Sequence, residues 1–439
     1  MNAFSVGPDD YFAEYGDQSY DVRHYDLRLR YRVEGNSLEG RAELHAVALV
    51  DVDELHLDLH ALKVSKVSVD VAEVARFSSN RDKLVVRTRR VIEAGEEFRL
   101  VVRYGGRPRP ISDGDGDMGW EELTHGVLVA GQTNGAGSWF PCNDRPANKA
   151  SYRIEVTTAS AYHVVANGRL VSRRLSAGDT SWVYEQVEPM ATYLATVQIG
   201  HYVAREVPDS PVPMTAVLPQ GRLHDYDAGF GRQAEMMEFF IRSFGPYPFG
   251  AYAVVITEDP LEIPLEAQSL SVFGSNFLTD DWDSVRLVAH ELSHQWFGNS
   301  LTLTAWRDIW LHEGFACYSE WLWSEESGGP SADDRARQHW DKLAAQPQDL
   351  LLADPGPDEM FDDRVYKRGA LLLHALRTTI GDATFFDLLR SWVHRHAHGS
   401  VTTAMFVELA NELADRPLTE LFDDWLLEPS LPPLPVRAG

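Results

Sequence analysis

The sequence predicts an α+β protein in which an N-terminal all-β, sandwich-like half precedes a mainly helical half. Apolar residues recur at every second position up to about Tyr202 and at helical spacing after about Asp227, and the proline-rich stretch 205–219 lies between. A length of 439 residues with 44% hydrophobic and 24% charged residues suits two packed domains, divided as 1–206 and 207–439.

The first strand is the clearest. Leu27, Leu29, Tyr31 and Val33 alternate with Arg28, Arg30 and Arg32, which puts one apolar face against a core and leaves the arginines on a solvated face. Further short runs at 42–49, 55–59, 64–71, 98–104, 152–157 and 193–199, many separated by Gly, Asn, Pro or Asp, extend the β-half. The segment 205–219 carries four prolines and reads as a boundary. Beyond it, Phe230, Ala234, Met237 and Phe240 share a face of a helix over 227–244 that stops at Gly245-Pro246. Helices are expected over 284–297, 309–323, 331–345, 365–380, 384–396 and 403–414, followed by an extended proline-rich tail.

Composition narrows the function. Forty basic against 66 acidic residues leave a net charge of −26, which argues against nucleic acid or an anionic membrane as partner. No apolar run approaches the 18 residues of a membrane span. Two cysteines, Cys142 and Cys317, and an N-terminus without a basic and apolar leader give a cytoplasmic expectation. The run Asp113-Gly114-Asp115-Gly116-Asp117 resembles a calcium loop, but Met118 and Thr124 stand where such a loop needs Gly and Glu, so a solvated turn is expected.

The chemistry centres on His290-Glu291-Leu292-Ser293-His294. On a helix, the two histidines lie one turn apart on one face and can present two imidazole nitrogens to one metal ion. Glu291 is offset around the helix, which suits it to handling the metal's water rather than to ligation. After eighteen intervening residues comes Glu313, within Trp310-Leu311-His312-Glu313-Gly314-Phe315-Ala316. A carboxylate from a second helix would complete three protein ligands and leave a position for water, the arrangement of a catalytic zinc site. His312 competes as a ligand, but its neighbour Glu313 points about 100° away on a helix, so His312 is expected in a supporting role.

These stretches, HELSHQWFGN at 290–299, WLHEGFA at 310–316 and VYKRGA at 365–370, resemble the zinc aminopeptidases of the aminopeptidase N and leukotriene hydrolase family, the gluzincins. YDVRHYDLRL near the N-terminus, FPCNDRPANKASY at 140–152 and FGPYPF at 244–249 extend the resemblance through most of the chain. It implies a β-domain followed by a thermolysin-like catalytic domain with one Zn2+ per chain on His290, His294 and Glu313. It also implies Glu291 as general base on the metal's water and Tyr366 as the phenol that supports the oxyanion.

An aminopeptidase must also hold the substrate's free α-amine. The family's Gly-x-Met-Glu-Asn strand corresponds to Ile263-Pro264-Leu265-Glu266-Ala267, which retains the glutamate alone, and Gln132 stands where the family places a Gln or Glu from the β-domain. The chain ends soon after Trp425-Leu426-Leu427, so the resemblance implies a short form without the C-terminal helical domain and a more open cleft unless a partner subunit covers it. The expected substrates are peptides with a free N-terminus, and the oligomeric state stays open. Epoxide hydrolysis or endopeptidase activity on the same scaffold, or a non-catalytic binding protein, are the alternatives.

Overall fold

The computed structural model describes residues 11–80, 82–112 and 116–435. Asp113, Gly114 and Asp115 of the acidic run lie outside the described residues. The first half is built on a seven-stranded sheet with Tyr20–Arg32 near its centre, antiparallel to Ser37–Ala48 and parallel to Ala150–Ala159. Leu27, Leu29 and Tyr31 are buried while Arg28, Arg30 and Arg32 are exposed, as their alternation requires. A three-stranded sheet containing Val52–Asp58 and a five-stranded sheet containing Gly126–Ala130 complete the β-rich half.

The proline-rich stretch is not an open linker. Tyr202–Glu206 and Met214–Pro219 pair as antiparallel strands around it, and Met214–Pro219 continues parallel to Tyr252–Ile256. Pro208, Pro211 and Pro213 fall in the turn, where no ladder donor is lost. A division at 206 therefore cuts through a sheet whose remaining strands, Leu270–Phe273 and Leu265–Ala267, belong to the second half. The run 193–199, expected as one strand, is a 3-10 turn at Thr192–Leu194 followed by the strand Val197–Gly200. Its residues are all buried, the polar Thr196 and Gln198 included, so no wet face marks where one conformation gives way to the other.

The helices are α1 (Tyr226–Phe230), α2 (Gln233–Phe244), α3 (Trp282–Ser293), α4 (Trp310–Glu326), α5 (Ala332–Ala344), α6 (Asp363–Ile380), α7 (Asp382–His396), α8 (Thr403–Leu413) and α9 (Thr419–Leu426). The helix expected over 227–244 is broken at Gly231-Arg232, and α9 lies beyond the last helix that the sequence pattern predicts. Starts are set by local chemistry. The Asp281 carboxylate accepts from the Ser284 amide at the head of α3, Ser331 and Asp334 form a capping box on α5, and Asp362 accepts from the Arg364 amide at the head of α6.

Helices α4 and α6 meet at Gly314 and Gly369, and a methyl added to either would lie 2.8 Å from the other's Cα. That approach places Glu313, next to Gly314, opposite Tyr366, one turn before Gly369. Gly369→Ala must push the helices apart, at a cost of about 1–3 kcal/mol for overpacking. A lowered denaturant midpoint is expected, and an unchanged one would show that the contact yields freely.

Candidate active site

The zinc-motif residues converge between α3 and α4. His290 Nε2 lies 3.3 Å and His294 Nε2 3.5 Å from Glu313 Oε2, and all three side chains are buried. The other nitrogen of each ring is engaged, His290 Nδ1 with Glu320 Oε1 at 2.8 Å and His294 Nδ1 with the Phe297 carbonyl at 2.9 Å. Both Nε2 atoms are thus turned to the same point, and the three donor atoms lie within 4.8 Å of one another. Two imidazole nitrogens and a carboxylate oxygen, each oriented by a second partner, form a donor set that fits Zn2+.

The electrostatics agree with a cation at that point. Burial disfavours charge on both imidazoles, yet Glu313 and Glu320 hold His290 up to about 9, and Glu313 with Glu266 holds His294 up to about 10. Burial would raise the Glu313 carboxyl, but the two histidines bring it far below the usual range. His312 turns away, its Nε2 accepting from the Leu303 amide at 2.9 Å, and burial pushes it down to about 3. It is a structural acceptor, as its offset on the helix predicts.

Glu291 faces the same space. Its Oε2 is buried without a hydrogen-bond partner, and burial, only partly offset by His290, pushes its carboxyl up to about 8. Glu266, Glu291 and His294 also have ligand atoms within 4.8 Å of one another. Gln132 reaches this group from the loop after Gly126–Ala130, its Nε2 donating to Glu266 Oε1 at 2.7 Å. The two residues read as amine contacts therefore touch each other beside His290, His294 and Glu313. Tyr366 stacks along His290 with ring centroids 6.1 Å apart and planes 19° apart. Burial and the charges of Glu313, Glu266 and Glu291 hold its phenol well above the ordinary range, so it stays a neutral donor.

The motif also builds the wall that carries Glu266. Gln295 donates to the Ala267 carbonyl at 3.0 Å and accepts from the Ser269 amide at 2.8 Å, while Asn299 donates to the same Ala267 carbonyl at 3.0 Å. They lie one and five residues beyond His294, so one segment supplies the two histidines and clamps the strand Leu265–Ala267. The β-rich half holds that segment in turn, because Lys149 donates to the Asn299 and Ser300 carbonyls at 3.0 and 2.8 Å.

Sequence reasoning missed Lys149, Gln295, Asn299 and Glu320 as supports. Only Glu320 left a usable signal: seven residues beyond Glu313 is two turns on the same face of α4. Its carboxylate binds His290 and also accepts from Arg286 at 3.2 Å. Glu320→Gln removes the charge behind His290, and a loss of zinc affinity of about 10–100-fold is expected by chelator competition. Wild-type affinity would remove Glu320 from the metal's support.

The chain matches the Peptidase M1 N-terminal domain over residues 22–194 and the Peptidase family M1 domain over residues 229–425. It is 27% identical to aminopeptidase B of Rattus norvegicus over 93% of its own length and 69% of that protein's. It is 23% identical to leucyl aminopeptidase of Saccharolobus solfataricus over 95% of its own length and 55% of that protein's. The crystal structure of the M1 zinc metallopeptidase from Deinococcus radiodurans superimposes with a TM-score of 0.90 at 29% identity, covering 98% of this chain and 99% of that one. A mutant of that Deinococcus radiodurans protein bound to a Tyr-Ser-Ala substrate superimposes equally well, with a TM-score of 0.90 at 29% identity and the same coverage of both chains. Among the described residues no helix is long and apolar enough to cross a membrane. With both of its characteristic domains in order and a donor set that fits zinc, this chain belongs to the M1 family of zinc metallopeptidases.

Proposed function

We propose that the protein is a zinc-dependent aminopeptidase that removes the N-terminal residue of peptides. The observation that carries this reading is the Glu266–Gln132 contact beside His290, His294 and Glu313. A carboxylate and an amide oxygen stand where a substrate's α-ammonium has to be held next to its scissile bond. The name of the rat relative and the peptide bound to the Deinococcus protein support the same class.

His290, His294 and Glu313 would hold a zinc ion, which would supply Lewis-acid polarisation of the scissile carbonyl and a more acidic water. Glu291 takes a proton from that water through its free Oε2 and delivers it to the leaving amine. Tyr366 donates a hydrogen bond to the carbonyl oxygen as charge develops there. Glu266 accepts from the ammonium, and Gln132 fixes the orientation of the Glu266 carboxylate while its own carbonyl oxygen remains an acceptor. Burial raises the Glu266 carboxyl, and the nearby histidines pull it back toward the charged form that an ammonium needs.

Tyr366→Phe is expected to lower kcat about 10²–10³-fold with little change in KM, because the lost bond matters mainly in the transition state. Equal kcat values would remove Tyr366 from that role. The reading as a whole is tested with a panel of aminoacyl arylamides, with chelator and after zinc is restored. Hydrolysis that chelator abolishes and zinc restores is expected; hydrolysis indifferent to chelator contradicts it. A two-domain division near residue 206, with the strand Tyr202–Glu206 of the first part pairing onto the sheet of the second, and a cytoplasmic location are part of the same proposal. The location is supported by Cys142 and Cys317, both buried free thiols.

A further inference from the structure

The strand that carries Glu266 is weakly anchored by its own sheet. Leu265–Ala267 is three residues long, lies at the sheet's edge and pairs on one side, with Leu270–Phe273. Gln268 and Ser269 join the two strands, and Ser269 holds a φ of +66°, which a residue with a side chain keeps only where surrounding contacts fix it. Gln295, which accepts from the Ser269 amide, and Asn299, which donates to the Ala267 carbonyl, supply such contacts from the helical half. The others come from the β-rich half.

Asn167 is the centre of this second grip. It is fully buried, between the strands His163–Ala166 and Arg169–Ser176. Its Nδ2 donates to the Gln268 carbonyl at 2.9 Å and to the Leu194 carbonyl at 2.8 Å, and its Oδ1 accepts from the Thr196 amide at 2.7 Å. Two carbonyls and one N–H need two donors and one acceptor, which a side-chain amide supplies; a carboxylate has no donor, and an alkyl group has neither. The next residue adds a bond across the same seam, the Gly168 amide donating to Ser269 Oγ at 2.7 Å. Gly168 has a φ of +85° and no room for a side chain against the Glu185 carbonyl.

The segment that Asn167 grips is also the one that places Gln132. Thr196 Oγ1 donates to the Val129 carbonyl at 2.7 Å, and Gly131 leaves no room for a side chain against the Tyr193 carbonyl. Residues 193–196 therefore brace the loop bearing Gln132, and one amide ties them to the turn that follows Glu266. The Gln132–Glu266 contact at 2.7 Å spans the two halves of the molecule, so its geometry depends on how this seam is held. We infer that Asn167 is a positioning residue for amine recognition, fixing Glu266 and Gln132 relative to each other while its own donors and acceptor are engaged by backbone. This assignment rests on the aminopeptidase reading and names the residue that organises its amine contacts.

The test is a double-mutant cycle read as kcat/KM for one aminoacyl arylamide on the zinc-loaded enzyme. Asn167→Ala in the parent protein is expected to lower kcat/KM about 10–100-fold, the scale of a slight misplacement of a binding group, chiefly through KM. Zinc affinity by chelator competition should stay at the parent value, since Asn167 bonds none of His290, His294 and Glu313. On the Glu266→Gln background the same substitution should have almost no effect, because the group it positions has lost its charge. A general loosening of the fold would lower both backgrounds by the same factor, and that result overturns the inference. A parent-like kcat/KM in Asn167→Ala does the same. Should Asn167→Ala not fold, Asn167→Ser, which keeps one donor for the carbonyls, is read in the same cycle with the same two contradicting outcomes. Failure of the aminopeptidase reading is separate, because it shows in the wild-type enzyme alone, as equal hydrolysis of a free and an N-acetylated peptide.

Discussion

Replacing Glu291 with glutamine is expected to lower kcat by about 10²–10⁴-fold, the usual contribution of a positioned general base, while zinc content and fold are retained. Glutamine keeps the shape of the side chain and cannot accept the proton. Nothing structural is lost with the charge, since Glu291 Oε2 has no hydrogen-bond partner in a fully protein-lined position. Burial already works against the carboxylate and pushes its pKa to about 8, so the neutral amide should leave thermal stability equal or higher. The combination of intact metal, unchanged or raised Tm and lost turnover separates a base from a ligand. Activity near that of the wild type would contradict the assignment.

Glu313→Ala is expected to act on the metal first. The carboxylate's Oε2 lies 3.3 and 3.5 Å from the two Nε2 atoms, and without it the site keeps the two imidazoles but loses the carboxylate oxygen that completes the three-donor set. Zinc should dialyse away, and affinity should fall by more than the roughly 10–100-fold typical of an outer-shell partner. Activity should return only in part at high added zinc. Metal analysis after dialysis reads this directly, and stoichiometric zinc in Glu313→Ala would mean that another group completes the site.

Much of this site was legible because its residues obey helical arithmetic. His290 and His294 share a face at a spacing of four, and His312 followed from the same geometry. Tyr366, by contrast, is implied only by the resemblance of VYKRGA to its family, and the Gly314–Gly369 approach that brings it toward Glu313 is seen only in the structure. What the sequence concealed depends on contacts between distant segments. Nothing local to Lys149 tells that its ammonium reaches carbonyls 150 residues on, and nothing in Gln295 tells that it bonds the strand carrying Glu266. The β-half was readable where one face is wet, as in Tyr20–Arg32, and unreadable at 193–199, where every side chain is buried. The prolines of 205–219 signalled a break in the chain, and the structure turns that break into a tight connection between paired strands.

Amine recognition distinguishes this account from an endopeptidase or another hydrolase on the same scaffold. The most direct measurement is kcat/KM for one peptide with a free N-terminus and for its N-acetylated form, on protein carrying stoichiometric zinc. An ammonium held by Glu266 and Gln132 predicts that acetylation removes nearly all hydrolysis, and that Glu266→Gln lowers kcat/KM for the free peptide while narrowing its advantage over the acetylated one. Equal hydrolysis of the two peptides would contradict the central claim.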